Sequence, residues 1–211
     1  MSESFVVSSA LALAGGFQDA YTYLVRGRVF ANAQTGNIVL LGANFIEGKW
    51  RAGLAYLFPV SAFIAGVFIA EFLQSKLKYA KRLHWRQTLV LFEVAIMFVA
   101  SFIPHSLSTI ANVIISLSCA MQVQAFRKVN GNPYASTMCI GNLRSGSEAL
   151  FAFFVNGKPS GLSKAQNYFG IIFVFFIGAS LGSFFSNLFH ERAIIFSCAF
   201  LLVAFWLMRR E

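Results

Sequence analysis

The sequence predicts an all-α fold, a polytopic helical membrane bundle, and three observations carry that expectation. Of the 211 residues 57% are hydrophobic, 12% are charged and 25 are Phe, whereas a soluble domain carries about 25% charged residues. The apolar residues gather in runs close to the ~20 residues that a helix needs to cross the hydrocarbon. The order of those runs then recurs at half the chain length. A mean hydropathy of +0.66 is too apolar for a water-facing surface. Disorder and a collagen-like fibre are excluded by composition, and a secreted disulfide scaffold by the presence of only three Cys.

Taken in order, the apolar runs are Phe5–Val25, Gly53–Leu73, Thr88–Ile103, Leu107–Phe126, Tyr168–Leu188 and Ala193–Met208. The opening Met1-Ser2-Glu3-Ser4 lacks the positive region and small-residue cleavage site of a signal peptide, so the first run is expected to remain as a span. Two more stretches, Val29–Ile46 and Tyr134–Val155, are long enough but polar. The first holds Asn32, Gln34, Thr35, Asn37 and Asn44; the second holds Ser136, Thr137, Asn142, Arg144, Ser145, Ser147 and Glu148.

Charge decides how these two stretches are read. If all eight elements cross, the side with both termini holds 6 Lys+Arg against 10, and Arg144 is stranded in the bilayer. If the polar stretches dip in and return, the counts become 12 against 5. The second arrangement obeys the positive-inside rule with both termini cytoplasmic. It predicts six full spans plus two broken or re-entrant elements in the plasma membrane, with eight spans as the alternative.

The net charge of +9 and pI near 9.8 would suggest nucleic acid in a soluble protein. Here the cations sit in short loops beside apolar runs, where they orient helices, so no nucleic-acid partner is expected. The expected partners are the lipid bilayer and a small solute, with a homo-oligomer left open.

A shift of 105 residues lays Asp19-Ala20 on Gln124-Ala125, and Gly36-Asn37-Ile38 on Gly141-Asn142-Leu143. A shift of 112 lays Phe63-Ile64-Ala65-Gly66 on Phe175-Phe176-Ile177-Gly178. The chain therefore divides into two membrane repeats, residues 1–105 and 106–211, within one integral domain. Three spans per half would set the halves in opposite orientations, the inverted repeat common in secondary transporters.

The elements Gly15-Gly16-Phe17-Gln18-Asp19-Ala20-Tyr21 and Phe30-Ala31-Asn32-Ala33-Gln34-Thr35-Gly36-Asn37 resemble the YoaK family of bacterial membrane proteins. That family carries a Gly-x-x-Asp-Ala element followed by a Phe-x-x-x-x-Thr-Gly-Asn stretch. Met121-Gln122-Val123-Gln124 and Ile140-Gly141-Asn142 resemble its second-half elements, with Gln122 in place of Gly and Ile140 in place of Thr. The resemblance implies a small multi-span membrane protein and brings no activity with it.

An ionisable group in a bilayer is costly, so it is read first as a site residue facing the bundle interior. Asp19 shares a helical face with Ala12, Gly15, Gly16 and Tyr23, where small residues let another backbone approach. The competing interpretation satisfies its carboxylate with Tyr hydroxyls or Gln124 as structural glue. Glu93, six residues into its run, fits either a buried or an interfacial position. The Gly-Asn pairs are the sharpest signal, because Gly permits a broken helix and Asn caps one. Half-helices starting near Asn37 and Asn142 would point N–H groups and positive dipole ends into the interior. The alternative there is close helix packing.

The expected solute-binding set is therefore Asp19, Asn32, Gln34, Thr35, Gly36, Asn37, Gln124, Thr137, Gly141, Asn142, Arg144 and Glu148. Within it, Arg144 and Glu148 stand one turn apart and can pair. No catalytic, metal or cofactor site is expected. His84, His105 and His190 are scattered in loops, Cys119, Cys139 and Cys198 lie singly in apolar runs, and no phosphate loop or nucleophile elbow appears. The functional expectation is a secondary transporter or channel for a small polar or ionic solute. A membrane-embedded scaffold or assembly factor is the alternative.

Overall fold

A computed structural model describes residues 3–77 and 84–209. Lys78, Lys81, Arg82, Arg210 and Glu211, part of the charge count above, lie outside the described residues. Among the described residues eight α-helices follow one another: α1 Phe5–Val25, α2 Gln34–Ile46, α3 Trp50–Leu77, α4 Trp85–Ala100, α5 Ser108–Ala125, α6 Cys139–Phe154, α7 Ser160–Phe189 and α8 Ile195–Arg209. Between α5 and α6 the strands Lys128–Val129 and Asn132–Pro133 form a small antiparallel hairpin. Its turn residues Asn130 and Gly131 have φ of 46° and 77°, the left-handed pair that an Asn-Gly hairpin turn needs.

The six apolar runs coincide with α1, α3, α4, α5, α7 and α8. Helix α3 has 28 residues and α7 has 30, both longer than their runs. Each continues into polar turns, such as Ser160–Asn167, that hydropathy alone does not mark as helical. Among the described residues three helical stretches, Trp50–Leu77, His105–Ala125 and Ser160–Arg209, are long and apolar enough to cross a membrane, with mean hydropathies of 2.0, 1.5 and 2.0. Helix α1, which carries Gln18 and Asp19, is not among them. Large apolar side chains such as Phe68, Phe72, Phe173, Phe176 and Phe184 are exposed on the outside of the bundle. That outward apolar surface belongs to a membrane protein, since soluble monomers rarely expose so much.

Inside, α1 lies along α7 and α3 lies along α5, while α8 packs on both α1 and α4. Leu11, Phe17, Leu89, Met97, Ile115 and Leu201 fill the core between them. Two glycines mark close helix crossings in the two halves. A Cβ at Gly178 would strike the Leu13 carbonyl of α1, and a Cβ at Gly66 would strike the Leu117 carbonyl of α5. These are the two glycines that the 112-residue shift superimposes.

Hydrogen bonds gather the helix ends at two poles. At one pole the buried Arg26, just past α1, donates to Tyr21 Oη (2.7 Å), Ala100 O (3.1 Å) and Pro104 O (3.3 Å). There Asn112 of α5 donates to Arg26 O at 2.7 Å, and Tyr21 Oη donates to Glu191 O at 2.8 Å. At the other pole Asn130 N donates to Glu3 O at 2.7 Å, Arg86 Nε to Ala125 O at 2.9 Å and Asn130 Nδ2 to Asn167 Oδ1 at 3.1 Å. Helices α2 and α6 reach neither pole at their starts. Both begin inside.

Candidate functional site

The segment between α1 and α2 leaves the Arg26 pole and runs inward along α1. Ala31 N donates to Thr22 Oγ1 at 3.2 Å and Asn32 N donates to Asp19 Oδ1 at 2.7 Å. The Asn32 amide reaches further, donating to Gly15 O at 3.3 Å. The segment before α6 comes from the opposite pole and arrives at the same residue. Thr137 packs its methyl where Gly15 has no Cβ, and Gln122 Nε2 ties the segment down through Ser136 Oγ (2.8 Å) and Leu11 O (3.3 Å). Non-helical backbone at this depth survives only where protein or a cavity accepts its polar groups, and these side chains supply that cover.

Asp19 is therefore held neither by Tyr hydroxyls nor by Gln124. It accepts instead from the backbone N–H of Asn32, and Gln124 donates to Glu71 Oε1. The small residues on the Asp19 face do admit other backbones: Gly15 meets Thr137, and Gly16 meets Phe175 and Ala179 of α7.

The expectation that Asn37 and Asn142 cap the half-helices is corrected by the structure. Helix α2 starts at Gln34 and α6 at Cys139, after Ala33 and Met138, and neither of those residues makes a side-chain cap. Each Asn instead sits one turn inside its helix and grips the incoming chain. Asn37 Oδ1 accepts from Phe30 N at 3.0 Å while its Nδ2 donates to Phe30 O at 2.7 Å. Asn142 does the same with Ala135, at 3.3 and 2.7 Å. A side-chain amide has one donor face and one acceptor face, so it can mimic a strand partner for a single residue. Gly36, beside Asn37, contributes to the first turn of α2, where its N–H donates to Ala33 O at 2.9 Å.

The two helix starts open into one cavity of about 730 Å³. Of the expected solute-binding set, Asp19, Asn32, Gln34, Thr35, Thr137 and Gly141 line it. Phe30, Phe63 and Phe175 supply much of the apolar wall. Gly36, Asn37 and Asn142 stand behind the lining, and Gln124, Arg144 and Glu148 are elsewhere. Arg144 Nε donates to Glu148 Oε1 at 3.0 Å on the exposed outer face of α6. The sequence could not separate these because residues 139–154 share one polar stretch, and only the packing of α6 on α7 fixes which face turns inward.

Two residues gained importance that the sequence did not signal, and the position of a third, left open between two readings, is settled. Arg26 lies 1% exposed and satisfies carbonyls at the end of α4; its place after a Tyr-rich helix end was the available clue. Gln122, noted only as a departure from a family motif, is the tether of the second segment. Glu93 proves buried, at 1% exposure, and its Oε1 has no partner among the described residues. No cluster of His, Cys, Asp and Glu able to hold a metal occurs among the described residues.

Comparison with known proteins places this geometry in a family. The profile described as "Protein of unknown function (DUF1275)" matches residues 7–207, so the chain belongs to that family. The chain is also 31% identical over 147 residues to the UPF0700 transmembrane protein YoaK of Bacillus subtilis (strain 168). That alignment covers 65% of this chain and 63% of YoaK, less than two thirds of the relative's length. No solved structure matches.

Proposed function

We propose that this DUF1275 protein is a secondary transporter or channel for a small polar or ionic solute, with its site in the cavity between the starts of α2 and α6. The observation that carries the proposal is the meeting of two uncapped helix starts at one cavity beside the carboxylate of Asp19. Broken helices in corresponding halves, with ends aimed at a shared interior space, are the arrangement secondary transporters use to bind solute.

The architecture that goes with this function is an inverted repeat of six spans and two re-entrant elements. Its support is the pattern of neighbours: exchanging α1–α4 for α5–α8 turns the α1–α7 contact into α5–α3, α2–α3 into α6–α7, and α1–α8 into α5–α4. The segments leading into α2 and α6 start from opposite poles, as oppositely oriented halves require. The pole with Arg86, Arg127, Lys128 and Lys158 is the cytoplasmic one by the positive-inside rule, in the plasma membrane, with the chain acting without enzymatic chemistry.

Asp19 carries the coupling proton or cation in this mechanism. It is the one carboxylate in the lining, and its contact with Asn32 links its charge state to the segment that opens into α2. Uptake of radiolabelled or fluorescent solutes into proteoliposomes, driven by an imposed pH gradient, tests the proposal. Asp19→Asn should abolish driven uptake while the protein remains folded and inserted. A variant that disappears from the membrane, with no solute moved by the wild type, would leave the scaffold role instead.

A further inference from the structure

Resting on the reading of Asp19 as the coupling residue of a transporter, we infer that Glu93 is a second proton-carrying residue, which exchanges a proton with Asp19 across a buried layer completed by Gln18 and Cys119. Asp19 and Glu93 are the two acidic residues buried among the described ones, at 8% and 1% exposure. Asp19 lines the cavity and Glu93 does not.

The Arg26 anchor places these residues at one depth. Arg26 follows α1, donates to Ala100 O at the end of α4, and accepts from Asn112 of α5 through its own carbonyl. Seven residues inward from these three points stand Asp19 on α1, Glu93 on α4 and Cys119 on α5. Seven residues are two helical turns, about 10 Å. At its other end α4 is pinned to α5 by Arg86 Nε on Ala125 O, which holds Glu93 and Cys119 in register. Cys119 Sγ donates to Gln18 Oε1 at 3.2 Å, beside Asp19 in the chain. The same thiol stands within electrostatic reach of both carboxyl groups. The layer runs from the cavity at Asp19, through Gln18 and Cys119, to Glu93 behind it.

The surroundings of Glu93 offer its carboxyl no charge to pair with. From α5 it is faced by Cys119, and from α8 Cys198 Sγ approaches the carbonyl of the next residue, Val94, at 3.6 Å. Helix α3 carries Arg51, Glu71 and Lys76 toward its ends, and the turn before α8 holds Glu191 and Arg192 at the Arg26 pole. Arg86, on α4 itself, is two turns away. A carboxylate buried without a cation takes up a proton. Glu93 Oε1 has no partner among the described residues, so it completes no packing hydrogen bond, and an ionisable group of this kind in a bilayer is read as functional. Gln18 Nε2, in the same layer, likewise lacks a partner among the described residues, so water entering the layer would meet both a donor and an acceptor.

The step moves one proton. An O–H bond of the Glu93 carboxylic acid breaks and an O–H bond forms on the Asp19 carboxylate. Water carries the proton between them, and the total charge of the layer is unchanged. Protonated Asp19 is a weaker acceptor for the Asn32 N–H than the carboxylate is, so the transfer loosens the segment that opens into α2. Glu93 thereby supplies Asp19 from behind while solute fills the cavity in front.

The test is infrared spectroscopy of the full chain in lipid, following the C=O stretch of protonated carboxyl groups after transfer into D2O. Buried carboxyl signal that survives in Asp19→Asn belongs to Glu93. Its downshift on exchange of hydrogen for deuterium should be complete in the wild type and lost in Asp19→Asn over the same time, because the outlet is gone. A Glu93 that only fills space would exchange at one rate in both. Glu93→Gln should abolish accumulation driven by a pH gradient in proteoliposomes, and Glu93→Asp, which restores a carboxyl, should recover it. The infrared comparison of wild type with Asp19→Asn leaves Glu93 unchanged, so it decides the matter even where Glu93→Gln fails to fold.

Equal exchange with and without Asp19 overturns the inference, as does the absence of a protonated carboxyl signal in Asp19→Asn, or full driven accumulation in Glu93→Gln. The broader function fails separately. If exchange at Glu93 depends on Asp19 but the wild type moves no solute, the proton link stands and transport does not. If uptake is driven and Asp19-dependent while exchange at Glu93 ignores Asp19, transport stands and the second proton site does not.

Discussion

The segments that lead into α2 and α6 do the same work with different chemistry. Each is gripped by an Asn one turn inside its helix, Asn37 on Phe30 and Asn142 on Ala135. Each is also tied to a neighbouring helix, but the first tether is the Asp19 carboxylate and the second is the Gln122 amide. The outer faces diverge as well: α2 exposes Ile38, Val39 and Ile46, whereas α6 exposes Ile140 and Leu143 beside the Arg144–Glu148 pair. The difference teaches that geometry and charge are separable in this fold. The clamps shape two matching helix starts, and the single carboxylate makes the cavity between them asymmetric.

Removing the tethers should break the comparison most strongly. Asp19→Ala leaves the buried Asn32 N–H unpaired and should cost about 1–3 kcal/mol. Gln122→Ala removes two neutral hydrogen bonds and should cost less than the upper part of that range, about 1–2 kcal/mol. Denaturant melts of the two variants in the same detergent measure the gap, and equal losses would mean that the carboxylate is no more than a spacer.

The clamps should behave alike. Asn37→Ala and Asn142→Ala each free a backbone N–H and carbonyl, at about 1–2 kcal/mol. Asn37 carries an additional bond to Gln34 Oε1 at 2.9 Å, so its loss should be slightly the larger. Cleavage by an added protease in the segments before α2 and α6 would register each release locally. A clamp whose loss leaves its own segment protected is not a clamp.

The Arg144–Glu148 pair should sharpen the comparison from outside the cavity. Either single change, Arg144→Met or Glu148→Gln, leaves a lone charge on the outer face of α6, and the double change should be more stable than both. Solute affinity should stay at the wild-type value in all three variants, since neither residue lines the cavity. Weakened affinity would return Arg144 to the binding set.

The smallest effect concerns pH at the start of α4, outside the membrane-spanning segments. His84 accepts from Arg86 N at 3.3 Å through Nδ1, and its own N–H donates to Gln87 Oε1 at 3.2 Å. Burial, and then the Arg86 charge, hold its pKa below the usual 6.5. The unfolded chain therefore takes up this proton first, so stability should fall as pH drops through 6.5 toward the lower folded value. His84→Asn, which keeps a capping acceptor, should flatten that part of the pH–stability profile. A profile unchanged by the substitution would mean His84 does not contribute to it.

Much of this was legible in the sequence because hydropathy and small-residue patterns report on helices directly. The runs found α1, α3, α4, α5, α7 and α8, and the 105-residue shift that aligned Gly36-Asn37 with Gly141-Asn142 also aligned their clamped partners Phe30 and Ala135. The identity of those partners was not legible. Asn at a helix start reads as a cap, and only three-dimensional placement shows the amide turned back onto the preceding chain. Half of the expected binding set reached the cavity, because the residues just before each helix start are forced inward by the broken backbone. Arg144, Glu148 and Gln124 did not, since their direction depends on which face of α6 or α5 is covered. Arg26 and Gln122 escaped notice for the complementary reason: their partners are carbonyls and hydroxyls distant in sequence, which no spacing announces.

Cys139 offers the most direct test of the central claim, that two helix starts share a solute cavity reached from water. It is the first residue of α6 and lines the cavity, while Cys119 and Cys198 are buried elsewhere. Native protein in proteoliposomes, treated with a small charged methanethiosulfonate and mapped by mass spectrometry, should be modified at Cys139 and spared at Cys119 and Cys198. A bound solute should slow the reaction at Cys139. A thiol that stays unmodified from both sides of the membrane while the reagent reacts with an exposed control cysteine would contradict the shared cavity, and with it the site.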